Sequence, residues 1–228
     1  MKKLAPVITI DGSSGAGKSI LCKNIAEALK WNSLESGFIY RLVSFIILKN
    51  KISIGIKNIH IIEKHLNSYL FFENNILKNI ISNKILEKKL MLQDIANLSS
   101  KIATLPYIRK LLFDKQKMFR RFPGLVTNGR DMGTVIFPDA KIKFFLDADI
   151  NIRVKRRVLE LHNKGINANF NTILFDMKER DQRDRKRLYS PLLVAKDAII
   201  INSTNSSIEE VFNTSIQFIY KKFKLNLT

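Results

Sequence analysis

The chain has 228 residues, 46% of them apolar, and its 39 lysines and arginines outnumber 20 acidic residues to give a net charge of +19. This length and apolar content suit one sizeable folded domain and exclude wholesale disorder. No apolar run reaches the roughly 18 residues of a membrane span, and the single cysteine, Cys22, excludes an intrachain disulfide and favours a reducing cytoplasm.

The chain begins with a pattern of strand, glycine-rich loop and helix. Residues 6–10 are an apolar run typical of a buried strand, and apolar residues recur at helical spacing after Lys18. The loop between them fits the pattern Gly, four residues, Gly, Lys, Ser or Thr, which is typical of phosphate-binding loops. The residues predicted to bind ATP are therefore Gly12, Ser13, Ser14, Gly15, Ala16, Gly17, Lys18 and Ser19, with Ile20 directly after them.

The physical basis of this prediction is the backbone of the loop. Its glycines permit backbone angles that side chains disfavour, so amide N–H groups can point inward at the positive end of the following helix. Lys18 then supplies a mobile positive charge for the outer phosphates, and the Ser19 hydroxyl is placed to ligate Mg²⁺. The loop therefore predicts ATP with Mg²⁺.

The next segments predict a helix and then a β-rich insertion. A helix follows the break at Ser36-Gly37, and Arg41 near its start is either a phosphate ligand or a solvated surface side chain. Residues 69–78 predict a hairpin centred on two asparagines, and residues 80–81 and 85–86 are candidates for further strand. Helical spacing returns over residues 93–118, with an interruption at Pro106.

Two further strands lead into polar segments. Residues 124–127 predict a strand, and the loop after it contains Arg130 and Asp131, where open α/β sheets bind ligands. An ordinary turn with a local ion pair is the alternative. Residues 142–146 predict the next strand, which ends at Asp147. Asp147 is either a magnesium-binding residue or the cap of the following helix.

The last third of the chain is rich in arginine. Two predicted helices carry most of it, and their arginines are Arg153, Arg156 and Arg157 on the first and Arg180, Arg183, Arg185 and Arg187 on the second. Arginine offers a rigid fork for phosphate oxygens, so this segment predicts a lid over a phosphoryl group; a salt-bridged surface helix is the alternative. A strand over residues 198–201 and a helix from Ser207, with Glu210 completing a capping box, end the pattern. Alternation of strands and helices predicts an α/β fold with a parallel sheet covered on both faces.

Three stretches of the sequence resemble the bacterial cytidylate kinase family: residues 6–12, 129–140 and 179–184. The resemblance covers essentially the whole chain, and the middle stretch is its most specific part. It implies a single domain over residues 1–228 with a P-loop NTPase-type core at about 1–60 and 102–228. It also implies a nucleotide-monophosphate-binding insertion at about 61–101 and a short arginine-rich lid within about 153–187.

The activity that the resemblance implies is phosphorylation of CMP and dCMP by ATP and Mg²⁺ in one in-line step, for pyrimidine nucleotide metabolism. It implies a cytoplasmic enzyme, which we expect to be a monomer that binds neither membrane nor nucleic acid. The CMP-binding residues that it implies are Ser36, Arg41, Ser100, Arg109, Arg130, Asp131, Arg180, Asp184 and Arg187. The catalytic residues that it implies are Lys18, Arg130, Arg180 and Arg187, with Arg157 binding ATP and Ser19 binding the metal.

Three positions depart from the pattern of that family. Asn128 stands where an Asp is usual, and an amide cannot supply the negative charge that favours a metal ion. Ile20 stands where a Thr is usual and removes a hydroxyl from the end of the phosphate loop. These two departures are compatible with a slow enzyme. Glu35 replaces a common Asp, and we expect this change to leave function unaltered.

The sequence disfavours two other classes of protein. A nucleic-acid-binding protein would use the high positive charge, but the lysines are spread along the chain and the arginine-rich helices lack interleaved aromatic residues for base stacking. A regulatory GTPase would need an Asn-Lys-x-Asp motif, and neither Asn83-Lys84 nor Asn163-Lys164 has the required Asp. The enzyme remains the prediction.

Overall fold

A computed structural model describes residues 4–73, 76–79 and 84–223. Its strands are β1 (Val7–Gly12), β2 (Asn32–Glu35), β3 (Leu70–Glu73), β4 (Ile76–Asn79), β5 (Leu125–Gly129), β6 (Ile142–Asp147) and β7 (Ile199–Asn202). Five of them form a parallel sheet in the order β2-β5-β1-β6-β7, and β3 pairs with β4 as an antiparallel hairpin. The parallel sheet confirms the predicted α/β fold.

Helices cover both faces of the sheet. They are α1 (Lys18–Leu29), α2 (Ser36–Lys49), α3 (Ile59–Tyr69), α4 (Lys84–Leu90), α5 (Gln93–Ile102), α6 (Pro106–Lys117), α7 (Ile150–Asn163), α8 (Phe170–Lys186) and α9 (Ile208–Phe223). The gap between α5 and α6 agrees with the interruption predicted at Pro106. Within the part of the chain that the structure describes, every helix is too short or too polar to span a bilayer.

The hydrophobic core has two layers because β1 alternates its side chains between the two faces of the sheet. Val7 faces a cluster built largely from α2, α3 and α6. Ile8 and Ile10 face the other way, into a cluster that includes residues of α1 and α9. All six residues of β1 are buried, as expected for the central strand of a parallel sheet. This packing fixes the loop that follows β1.

The segment between α2 and α6 contains the predicted hairpin, but its other described elements are helical. The strand predicted at residues 85–86 is wrong, because these residues belong to α4. Leu86 and Leu90, four positions apart, form a small buried cluster with Ile95 of α5, and this contact favours the helix. The hairpin turn at 74–75 and the candidate strand at 80–81 lie outside the described residues.

Hydrogen bonds at the N-termini of α7 and α9 test two predictions about helix caps. Asp149 caps α7 by accepting hydrogen bonds from the amides of Asn151 and Ile152, so the cap predicted at Asp147 is wrong. Asp147 lies 3.9 Å from Arg185 instead. At the start of α9 the capping box is confirmed, since Ser207 and Glu210 exchange side-chain to backbone hydrogen bonds.

Parallel strands bring the polar segments to one edge of the sheet. The glycine-rich loop follows β1, Arg130 follows β5, Glu35 ends β2 and Asp147 ends β6. Because all these strands run in the same direction, their carboxyl ends meet at the same edge, which is where open α/β sheets bind ligands.

Candidate active site

The glycine-rich loop has the backbone that its sequence predicts. Gly12, Gly15 and Gly17 have φ angles of 144°, 74° and 96°, in the region that favours glycine. A Cβ at Gly12 would lie 1.9 Å from the carbonyl oxygen of Leu146, so the close packing of β1 and β6 also requires glycine there. The loop then enters α1 with Lys18 as its first residue.

Lys18 is buried at the base of the loop, where its amine donates a hydrogen bond to the carbonyl oxygen of Ser13. Burial lowers the pKa of the Lys18 amine well below its ordinary value, and the positive charges of Arg130 and Arg180 lower it further. A bound anion would relieve this repulsion. Lys18 is thus held among positive charges at the edge of the sheet.

Further arginines crowd the same region. Burial, followed by the charge of Arg130, lowers the pKa of Arg180 to about 9. Burial, followed by the charge of Arg157, lowers the pKa of Arg41 to about 10. Within the described part of the chain, the buried Nε of Arg180 has no hydrogen-bond partner. Buried donors of like charge with unused N–H groups are what a phosphate site requires.

Asp184 ties three of the arginines together. Its carboxylate accepts a hydrogen bond of 2.7 Å from Nε of Arg130 and lies 3.5 Å from Nη1 of Arg187 and 4.0 Å from Nε of Arg180. Burial favours the neutral form of Asp184, but the three arginines outweigh it and lower its pKa. This ionised carboxylate orients the arginines.

Asp131 forms a second buried ion-pair cluster beside the first. It is hydrogen-bonded to Arg109 and lies 3.8 Å from Nη2 of Arg187. The guanidinium of Arg109 also lies over the ring of Tyr40, 5.8 Å from its centroid. Arg187 therefore bridges Asp131 and Asp184, which are both buried. The two carboxylates and their arginines form one connected network.

The two serines predicted to bind CMP, Ser36 and Ser100, have different hydrogen-bond partners. Ser36 is buried as the first residue of α2 and donates a hydrogen bond of 2.8 Å to Oε1 of Gln116. A Cβ placed on Gly129 would lie 3.3 Å from the Cβ of Ser36, which puts Ser36 beside the segment that leads to Asp131. Ser100 accepts a hydrogen bond of 3.2 Å from Nε of Arg183.

The Ser19 hydroxyl lies between a carboxylate and an amide. It donates a hydrogen bond of 2.6 Å to Glu35 and accepts one of 3.3 Å from Nδ2 of Asn128. The Oδ1 atom of Asn128 is buried, and none of the described residues donates a hydrogen bond to it. Hydroxyl, carboxylate and amide oxygens are hard ligands of the kind that Mg²⁺ prefers. These donors therefore fit the predicted metal ion.

The arginines of α7 have separate roles. Arg157 lies near the cluster but pairs with Glu160 at 2.8 Å. Arg156 bonds to Ser203, and buried Arg153 bonds to Asp181 and to the carbonyl of Ser14. The contacts of Arg153 join the two arginine-rich helices to each other and to the loop, so this face of the helices packs within the protein.

Two residues that sequence reasoning did not single out also support the site. Asp11 accepts hydrogen bonds from the amides of Met132 and Gly133, at 2.9 and 2.7 Å, and so connects β1 to the segment after Asp131. Burial raises the pKa of Asp11 to about 6. Gln116 contacts Ser36 from α6. No local sequence pattern marks either residue, since both contacts join distant parts of the chain.

Comparison with known proteins places this site in a family. The sequence profile of the family described as cytidylate kinase matches residues 8–221. The chain belongs to the cytidylate kinase family. A cytidylate kinase of Buchnera aphidicola subsp. Baizongia pistaciae is 51% identical over 227 residues, covering 98% of this chain and 99% of that protein.

Cytidylate kinases of other bacteria are similar over the same length. That of Shigella boydii is 43% identical over 226 residues, and that of Escherichia fergusonii is 42% identical over 226 residues. Both alignments cover 99% of this chain and 100% of the relative. The chain is therefore a nucleoside monophosphate kinase, as its sequence predicts.

Proposed function

We propose that this enzyme transfers the γ-phosphoryl group of ATP to CMP and dCMP. The observation that carries the proposal is the convergence of Lys18, Arg130 and Arg180 beside the glycine-rich loop, where the charges of Arg130 and Arg180 add to burial in lowering the pKa of Lys18. Two nucleotides bring several negative charges together, and a reaction between them needs fixed positive charge at the point of transfer.

The ATP phosphates would be held by the loop amides and by Lys18. The residues that we assign to ATP are Gly12, Ser13, Ser14, Gly15, Ala16, Gly17, Lys18, Ser19, Ile20 and Arg157. The side chain of Ile20 is 46% exposed on the first turn of α1, so its contribution would come from its backbone amide. Arg157 would act after exchanging its contact with Glu160 for a phosphate.

The second nucleotide would lie over the arginine network. We assign Arg41, Arg130 and Arg180 to its phosphate, because they are buried or half-buried and repel one another without an anion. Ser100 and Asp184 would bind the sugar. The base would be read by Ser36, Arg109, Asp131 and Arg187, which present acceptors for the amino group of cytosine and donors for its carbonyl.

Mg²⁺ is proposed to lie beside Ser19, with Glu35 and Asn128 as neighbouring oxygen donors. When bound, the ion neutralises charge on the transferring phosphates. An oxygen of the CMP phosphate attacks the γ-phosphorus as the bond from that phosphorus to the leaving oxygen of ADP breaks. The arginines and Lys18 hold the two phosphates in line, and no covalent enzyme intermediate is required.

The domain arrangement follows the same proposal. The core would comprise about residues 1–60 and 102–228, the insertion about 61–101 and the lid a part of about 153–187. Gln93 of α5 bonds to Asp176 of α8 at 2.7 Å, which supports a closed arrangement of insertion and lid. We further propose a cytoplasmic monomer without a nucleic acid partner, which light scattering and RNA-binding assays at varied salt would test.

The test of the function is a coupled assay of ADP formation with CMP, dCMP, UMP and AMP. We expect CMP and dCMP to give the highest kcat/KM. Lys18→Met is expected to lower kcat by at least roughly a thousandfold, because it removes charge stabilisation at the transferred group. The matched control is Lys23→Met on the exposed face of α1. Faster turnover of UMP or AMP than of CMP would refute the assignment of the base.

A further inference from the structure

Gln116 is a buried polar residue of α6 that contacts the proposed base-binding site through one atom. Its residue exposure is 1%, which is unusual for a glutamine. Both ends of its amide are hydrogen-bonded within the protein. Nε2 donates to the carbonyl oxygen of Leu112 at 3.0 Å, and Oε1 accepts from the hydroxyl of Ser36 at 2.8 Å.

These two contacts fix which atom donates and which accepts in both hydrogen bonds of the Gln116 side chain. A backbone carbonyl can only accept, so the atom of Gln116 that faces Leu112 must be the NH₂ group. The oxygen of the same amide must then face Ser36, and an amide oxygen can only accept. The proton of the Ser36 hydroxyl therefore points at Gln116. The lone pairs of that hydroxyl are left to face the site as acceptors.

We infer that Gln116 sets the base specificity of the enzyme by holding the Ser36 hydroxyl as an acceptor. The inference rests on the proposed function, in which Ser36 faces the base. Cytosine presents a 4-amino donor to such an acceptor. Uracil presents a carbonyl oxygen at the same position, and a freely rotating hydroxyl would donate to that oxygen and tolerate uracil. Gln116 removes this freedom.

The surroundings of Ser36 reinforce the same selection. Ser36 is 4% exposed and lies beside Gly129, two residues before Asp131. Asp131 is a carboxylate held by Arg109 and Arg187 and also presents acceptors. A uracil carbonyl would thus face two acceptors, with little water present to separate them. Gln116 is a positioning residue, because it acts on the base only through Ser36.

The test is the ratio of kcat/KM for CMP to kcat/KM for UMP. Gln116→Met keeps most of the side-chain volume and frees the Ser36 hydroxyl. We expect the ratio to fall roughly tenfold, mainly through a gain with UMP, as the mismatch of one buried hydrogen bond predicts. KM for ATP is expected to stay within about twofold of the wild-type value. An unchanged ratio in the folded variant would overturn the inference.

A double mutant distinguishes positioning from a general structural effect. In a Ser36→Ala background the hydroxyl is absent, so adding Gln116→Met should leave the CMP to UMP ratio unchanged. An equal fall in both backgrounds would overturn the inference. Ser44→Ala is the matched control, since it removes another buried hydrogen bond, to the carbonyl of Tyr40, on the same helix as Ser36. Its ratio should match that of the wild type.

A modified substrate keeps the test decisive if Gln116→Met does not fold. A CMP analogue with hydrogen in place of the 4-amino group offers neither donor nor acceptor. The kcat/KM of the wild-type enzyme should be higher for this analogue than for UMP, and Ser36→Ala should reduce the ratio of these two values. An equal kcat/KM ratio in both proteins would show that the Ser36 hydroxyl does not act as an acceptor toward the base. Failure of the wild type to phosphorylate CMP would instead refute the proposed function itself.

Discussion

Glu35 and Asn128 together surround the Ser19 hydroxyl at the edge of the glycine-rich loop. Glu35 accepts a hydrogen bond from Ser19 at 2.6 Å, while the buried oxygen of Asn128 has no hydrogen-bond partner among the residues that the structure describes. A neutral amide cannot supply the charge that a metal ion favours, and Glu35 is the carboxylate in contact with Ser19. We therefore revise the expectation that Glu35 is neutral for function and propose that it supplies this charge.

Glu35→Gln is expected to weaken Mg²⁺ binding, because it removes the charge and keeps the shape. We expect roughly a tenfold rise in the Mg²⁺ concentration that half-saturates ADP binding, a typical cost for a residue that supports a metal ligand. Calorimetric titration of ADP at varied Mg²⁺ measures it. The control is Glu27→Gln, which makes the same carboxylate-to-amide change at an exposed position of α1. Equal Mg²⁺ dependence in wild type and Glu35→Gln would contradict the assignment.

A site residue could be predicted from the sequence where its contacts are with residues nearby in the chain. Glycines and Lys18 of the loop lie within one short motif, so their positions could be read directly. Ser36 and Gln116 are 80 positions apart, and Asp11 and Met132 are 121 positions apart. No spacing rule connects such distant residues. Their roles depend on the packing of α2 against α6 and of β1 against β5.

Helices α7 and α8 both contact the backbone of Ser14 in the glycine-rich loop. The amide of Ser14 donates to Asp181 at 3.4 Å, and the carbonyl of Ser14 accepts from Arg153 at 3.0 Å. Arg153 and Asp181 also bond to each other at 2.6 Å. These contacts connect the loop that would bind ATP to the helices that carry Arg157 and Arg180.

Arg153→Met is expected to destabilise the protein by roughly 3 kcal/mol, because it leaves the buried carboxylate of Asp181 without its cation. Adding Asp181→Leu should recover part of that loss, since it removes the unpaired charge. Chemical denaturation measures both changes. Lys155→Met, on the exposed side of α7, should change stability by less than about 0.5 kcal/mol. A double mutant that is less stable than Arg153→Met would contradict this account.

Most of the elements could be predicted because strands and helices of the core follow clear periodicities. The capping box of α9 and the interruption at Pro106 are also local signals. Helix α4 could not be predicted, because adjacent apolar residues are compatible with either a strand or a helix. Packing of Leu86 and Leu90 on Ile95 decides between them, and that packing depends on α5.

The positive charge of the molecule is large, and part of it is concentrated at one place in the fold. Of the net +19, several positive groups converge on one edge of the parallel sheet, where burial and the charge of Arg130 lower the pKa values of Lys18 and Arg180. Repulsion of this kind destabilises the ligand-free protein. An anion that binds between these groups is therefore expected to stabilise the folded state.

Inorganic phosphate should raise the melting temperature of the ligand-free enzyme more than sodium chloride at equal ionic strength. We expect about 3 °C at a phosphate concentration well above its Kd, from the usual relation between binding free energy and melting temperature. Differential scanning calorimetry measures it. Arg180→Met should reduce the phosphate effect, and Lys222→Met, on α9, should not. An equal rise in melting temperature with both salts would show that these positive side chains bind no phosphate.

The single tryptophan of the chain reports on a different region of the molecule. Trp31 packs edge-on against Phe223 of α9, with ring centroids 5.4 Å apart, and covers Gly124 just before β5. Both contacts lie where β2 and β5 begin, at the opposite end of these strands from the arginines. Indole fluorescence will consequently follow release of the last helix during denaturation, and a dye or an introduced tryptophan will be needed to observe nucleotide binding optically.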